Sequence, residues 1–100
     1  MNNNYKNIGT LIRVFFGQDY DLFGETVEDV LDSYLQTENQ KTVINVCQET
    51  EKLLSLNDET LTKTFAILSQ GECFPEPWGE TVRTFLEKIK RHLAGRIQLP

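Results

Sequence analysis

Much of what a reaction centre or a membrane segment requires is scarce in this sequence. Histidine occurs once, at His92, and cysteine only at Cys47 and Cys73, without Cys-x-x-Cys spacing. That leaves no thiolate and imidazole set for zinc, and no Cys/His or Ser/His pair at a nucleophile turn. His92 reads as an exposed or helix-end residue, and both cysteines as reduced thiols in or beside the core. The glycines stand singly, at 9, 17, 24, 71, 79 and 95, so no Gly-rich loop is available to cradle a phosphate. No run approaches the roughly 20 apolar residues of a membrane span, and the opening MNNNYKN has neither the basic nor the apolar region of a secretory signal. The expectation is therefore a cytoplasmic protein with no cofactor, no metal and no membrane partner.

Basic residues are missing from one long stretch: no Lys or Arg lies between Val14 and Gln40. Within it stand Asp19, Asp21, Glu25, Glu28, Asp29, Asp32 and Glu38. Val27, Val30, Leu31, Tyr34 and Leu35 recur at i, i+3, i+4, i+7 and i+8, the apolar stripe of a helix. At about 100° per residue, Glu25, Glu28, Asp29 and Asp32 then share the opposite face. Like charges at this spacing cost a helix a few tenths of a kcal/mol each, so such a face is either solvated or met by something basic. Both readings stay open on these residues alone. An Asp-x-Asp step followed by Leu-Phe-Gly does not continue as a calcium loop, and exposed acids on one helix face are not the paired carboxylates of a glycosidase cleft.

In total 15 acidic residues oppose 10 basic ones, a net charge of -5, which argues against direct binding of nucleic acid. Positive charge gathers near the end of the chain, where Arg83, Lys88, Lys90, Arg91 and Arg96 face a single acid, Glu87. The charge pattern thus predicts a molecule acidic at one end and basic at the other.

One hundred residues support one core and one domain, spanning 1–100. Tyr5, Ile8, Leu11, Ile12 and Phe15 predict a first helix over about 4–16, ended by Gly17, with Gly9 marking close packing. Asp19 and Asp21 suit a turn, with Tyr20, Leu22 and Phe23 as apolar anchors. Thr26 with Asp29 predicts the cap of the second helix, and Thr37 with Gln40 that of a third carrying Val43, Val46, Cys47, Leu53 and Leu54. Asn57 caps a fourth, closed by Gly71, and Pro77 opens a fifth that carries Trp78, Val82, Phe85, Leu86, Ile89 and Leu93 and ends at Gly95. Trp78 suits either the end of the core or, with Phe74, an exposed anchor for a partner. The fold class is all-α: a compact single-domain bundle of about five short amphipathic helices, layered or orthogonal in preference to up-and-down.

Phe16, Gln18, Asp19, Tyr20, Asp21, Gly24, Thr26 and Glu28 form an aromatic, a Gln-Asp-aromatic step and an acidic helix start. This resembles the CdiI-type immunity proteins of bacterial contact-dependent growth inhibition systems, which often carry Trp where this chain has Tyr20. The helix pattern agrees more loosely over almost the whole length. The resemblance implies a cytoplasmic, non-enzymatic inhibitor that binds the C-terminal toxin domain of a CdiA-type effector, in many cases a nuclease. An acidic face complements the basic surface that a nuclease presents to phosphate, which makes Asp19, Tyr20, Asp21, Glu25, Glu28, Asp29 and Asp32 the candidate toxin-binding residues. The alternative is a cytoplasmic helical adaptor or regulatory protein-binding module, with a small helical enzyme third.

Overall fold

In the computed structural model, residues 5–17, 22, 24–71, 73 and 75–96 are described, and the helices begin where side chains serve the free N–H groups of a first turn. The second helix, α2 (Val27–Thr37), follows Thr26, whose hydroxyl oxygen accepts the Asp29 N–H at 3.0 Å, as the Thr-x-x-Asp box predicts. The third, α3 (Gln40–Leu54), departs from its predicted box: Asn39 is the cap and accepts the Thr42 N–H at 2.8 Å. Asparagine caps better than threonine, and Thr37 is used by α2, its hydroxyl donating to the Tyr34 carbonyl at 3.0 Å. For α4 (Asp58–Ser69) the cap is Asn57, accepting from the Thr60 N–H at 2.8 Å, with Asp58 and Glu59 in the first turn.

Helix ends are where the pattern misleads. Gln70, not Gly71, takes the first left-handed position after α4, at φ 53°, and Gly71 follows at φ 73°. Pro77 does not open the last helix but sits in a short 3-10 turn, Glu76–Trp78, closed by Gly79 at φ 75°. The last helix, α5 (Val82–Arg96), starts later and runs through Gly95.

The first helix, α1 (Lys6–Phe15), has no cap of its own: Tyr5 supplies no side-chain hydrogen bond, and no acid lies in the first turn. Glu49 from α3 takes that place. Its Oε1 accepts the Asn7 and Ile8 N–H groups, each at 2.9 Å, and its Oε2 accepts from Asn7 Nδ2 at 2.8 Å. The side chain is 8% exposed, so a buried carboxylate is held by three donors at the positive end of a helix dipole.

Packing follows from two central helices: α1 lies against α2, α3 and α4, and α5 against the same three. The contact of α3 with α5 is the most extensive, so chain neighbours are not the main partners. Ile8, Leu11 and Ile12 of α1 and Phe85, Leu86, Ile89 and Leu93 of α5 are fully buried. Phe85 is central to an aromatic group: Phe16 meets it edge-on at 5.1 Å, and Trp78 stacks on it at 5.7 Å with the rings 1° from parallel. Trp78 therefore closes the end of the core, and Phe74, its proposed companion in an exposed anchor, lies outside the described residues. Among the described residues there is no strand, and the radius of gyration, 12.4 Å, is near the ~13 Å usual for a 100-residue domain.

Candidate protein-binding face

Gly24 sets how the acidic stretch enters α2. A Cβ at this position would stand 2.4 Å from Asp29 Cβ and 2.9 Å from both the Asp29 carbonyl carbon and the Val30 nitrogen, so the chain passes hard against the first turn. Glu25 comes next and precedes the cap residue Thr26, so it lies off the helix, exposed, and not on the helical face its spacing suggests. Glu28, Asp29 and Asp32 do stand on α2. Asp19, Tyr20 and Asp21 fall outside the described residues.

The acids on α2 separate into two groups. Glu28 and Asp32 are half-buried and turn toward α5, where Lys88 Nζ lies 3.7 Å from Glu28 and 2.9 Å from Glu80. His92 Nε2 is 2.8 Å from Asp32 Oδ1, and Arg96 Nη2 is 3.6 Å from the same oxygen. Glu25 and Asp29 are exposed, and neither carboxylate has an ion-pair partner among the described residues. Part of the face is thus met by something basic, and the expectation for His92 is corrected. The acidic face does have counterions of its own, about 60 positions away along the chain, because α5 packs on α2. His92 is a half-buried partner of Asp32 and not an exposed helix-end residue.

The Lys88 ammonium holds the Glu80 carboxyl below its ordinary range, with help from Thr84, and Glu80 in turn raises the lysine. A signal for this seam is present in the sequence. Lys88, His92 and Arg96 repeat at i, i+4 and i+8, and Glu28 and Asp32 at i and i+4, so each helix presents one stripe to the other. Without knowing which helices touch, the two stripes cannot be matched.

Two more residues of the basic stretch, Arg83 and Lys90, are also engaged. Arg83 donates from Nη1 and Nη2 to the Leu54 and Leu56 carbonyls at 2.9 and 2.7 Å, and from Nε to Asp58 at 2.6 Å, tying the end of α3 to the start of α4. Lys90 approaches Glu51 at 3.9 Å. Acid and base are thus interleaved on neighbouring helices and do not form opposite ends of the molecule.

Among the described residues no group of three or more His, Cys, Asp or Glu could hold a metal ion, and no helix is long and apolar enough to cross a membrane. Cys47 and Cys73 are buried free thiols; burial pushes the Cys73 thiol up to about 12 and raises Cys47 too. Neither has the thiolate character of a nucleophile.

Fold and face together define a small all-α protein in which part of the charge is paired between helices and part, at Glu25 and Asp29, is exposed and unpaired among the described residues. A family model described as CdiI immunity protein matches residues 4–93, and the chain belongs to that family. Membership supports a role in immunity to a contact-dependent growth inhibition toxin and favours it over the adaptor alternative. No curated protein and no solved structure matches the chain.

Proposed function

We propose that this protein acts in the cytoplasm, where it binds the C-terminal toxin domain of a CdiA-type effector and neutralises it, without catalysis of its own, by covering a basic surface. The reading rests on the family and on one observation: Glu25 and Asp29 stand exposed at the start of α2 with no ion-pair partner among the described residues. Asp19, Tyr20 and Asp21 precede them in the chain and belong to the same proposed contact, with Glu28 and Asp32 at its inner edge. A nuclease must attract phosphate, so a toxin of that class carries the positive surface this face complements, and an inhibitor seated there would exclude the nucleic acid. Complementary charge would chiefly raise the association rate, in a salt-dependent way, while an aromatic such as Tyr20 would slow dissociation.

The test is Glu25→Lys with Asp29→Lys, assayed for binding to the toxin domain encoded beside this gene and for growth protection. Helical content should hold and melting should fall by only a few degrees, since both side chains are exposed and the cost is confined to replacing Asp29 in the first turn of α2. Association should slow by about tenfold or more at low salt, and protection should weaken. Normal binding and protection by this variant would remove the acidic face and leave the family assignment standing.

A further inference from the structure

We infer that a cleft between the end of α2, the start of α3 and the last turn of α5 receives a segment of the toxin domain carrying a lysine or arginine beside an apolar side chain. The inference rests on the proposed toxin binding and locates a second contact, which shares Asp32 with the acidic face and otherwise uses residues that proposal does not. The cleft is open to solvent and offers about 700 Å³, room for a few side chains of an extended segment. Its apolar surface is mainly the half-buried Leu35, with Val43 beneath it, 1% exposed.

The charge at its walls selects the occupant. The last turn of α2 carries no basic residue, so the negative end of that helix dipole is unanswered from its own side chains. Glu38 stands at the same end, exposed and with no ion-pair partner among the described residues, and Asp32 forms a further wall. Arg96 of α5 reaches Asp32 from the other side at 3.6 Å and is 59% exposed, so Asp32 already has a guanidinium beside it and Glu38 is the acid of the cleft left unpaired among the described residues. An acidic or purely apolar segment would leave Glu38 and the helix end uncompensated. A cationic side chain followed by an apolar one satisfies both the rim and the floor.

Glu38→Arg and Gln36→Trp test this. The first exchanges an exposed side chain that has no ion-pair partner among the described residues, so the fold should hold; the second fills the cleft from an exposed position on its lining. Dissociation constants would be measured against the purified C-terminal toxin domain of the neighbouring effector, with melting followed by circular dichroism on the same samples. Each variant should raise Kd about tenfold or more with melting nearly unchanged, and Glu38→Gln should fall between. If Gln36→Trp fails to fold, Glu38→Arg decides alone. If Glu25→Lys with Asp29→Lys weakens binding while both cleft variants bind as the parent does, the cleft inference falls and the proposed function stands. If the parent protein forms no complex, both fall. A dimer of this chain alone that Gln36→Trp dissolves would assign the cleft to a second copy and overturn the inference.

Discussion

Replacing Glu49 should cost more stability than replacing any other acid discussed above, because it substitutes for a cap that α1 lacks. Hydrogen bonds to a charged group are worth about 1.5–3 kcal/mol each but do not add when they share one carboxylate. Alanine would also leave the buried Ile8 N–H without a partner and open space at a site 8% exposed. About 3 kcal/mol is therefore expected for Glu49→Ala, and about 1 kcal/mol for Glu49→Gln, which keeps the shape and one acceptor. For a domain of this size that is a fall in Tm of about 12–24 °C for alanine. Urea denaturation followed by far-UV circular dichroism gives the free energy, and amide exchange at Asn7 and Ile8 gives the place: their protection should drop before that of α5. Glu51→Ala is the control on the same helix, since its 3.9 Å pair with Lys90 is 70% exposed on the glutamate side and should be worth under about 0.5 kcal/mol. Equal losses for the two variants would refute the assignment of Glu49 as the cap of α1.

Gly24→Ala should destabilise by about 1–3 kcal/mol, because the added Cβ meets Asp29 and the backbone of the first turn of α2 and must displace the entering chain; a urea midpoint within error of the parent would show that the entry relaxes freely. For Glu80, the folded protein holds the carboxyl proton less tightly than the unfolded chain does, so its contribution is present above the ordinary value of 4.5 and is lost as pH falls through the lower folded one. Urea midpoints between pH 2 and 7 should therefore decline less steeply in acid for Glu80→Gln than for the parent, and parallel curves would remove the Lys88 pair as a source of acid sensitivity.

Helices were legible because each buries a stripe: Val27, Val30, Leu31 and Tyr34 of α2 and Phe85, Leu86, Ile89 and Leu93 of α5 are all buried as the spacing predicts. Starts read better than ends. Thr26 and Asn57 cap locally, through hydrogen bonds three residues long, and a local signal survives in a sequence. Gly95 shows the reverse: glycine is permitted at a helix end but not required there, and α5 continues through it to Arg96. Glu49 was illegible for another reason. It sits at the core-facing spacing of Val46 and Leu53, which reads as an interruption of the stripe, and its partners lie 41 and 42 residues away. A charged residue on an apolar stripe is itself the clue, since burial at that spacing demands donors from elsewhere.

The same limit shaped the reading of the acidic stretch. A count of charges along the chain finds seven acids and no base from 17 to 40 and treats them alike, whereas the fold divides them. Lys88, His92 and Arg96 hold Glu28 and Asp32 against α5, so part of the apparent ridge stabilises the packing of two helices. A carboxylate already paired on its own surface attracts a partner less, and a partner that takes it must first compete with the resident cation. Among the described residues of this stretch, the acids left without an ion pair therefore stand at the two ends of α2, Glu25 and Asp29 at the start and Glu38 at the finish. This determines which substitutions are informative. Reversing Asp32 would place a cation beside His92 and Arg96 and loosen α5, so any loss of protection would mix folding with binding. Reversing Glu25, Asp29 or Glu38 disturbs no ion pair among the described residues, and a loss there reads as contact.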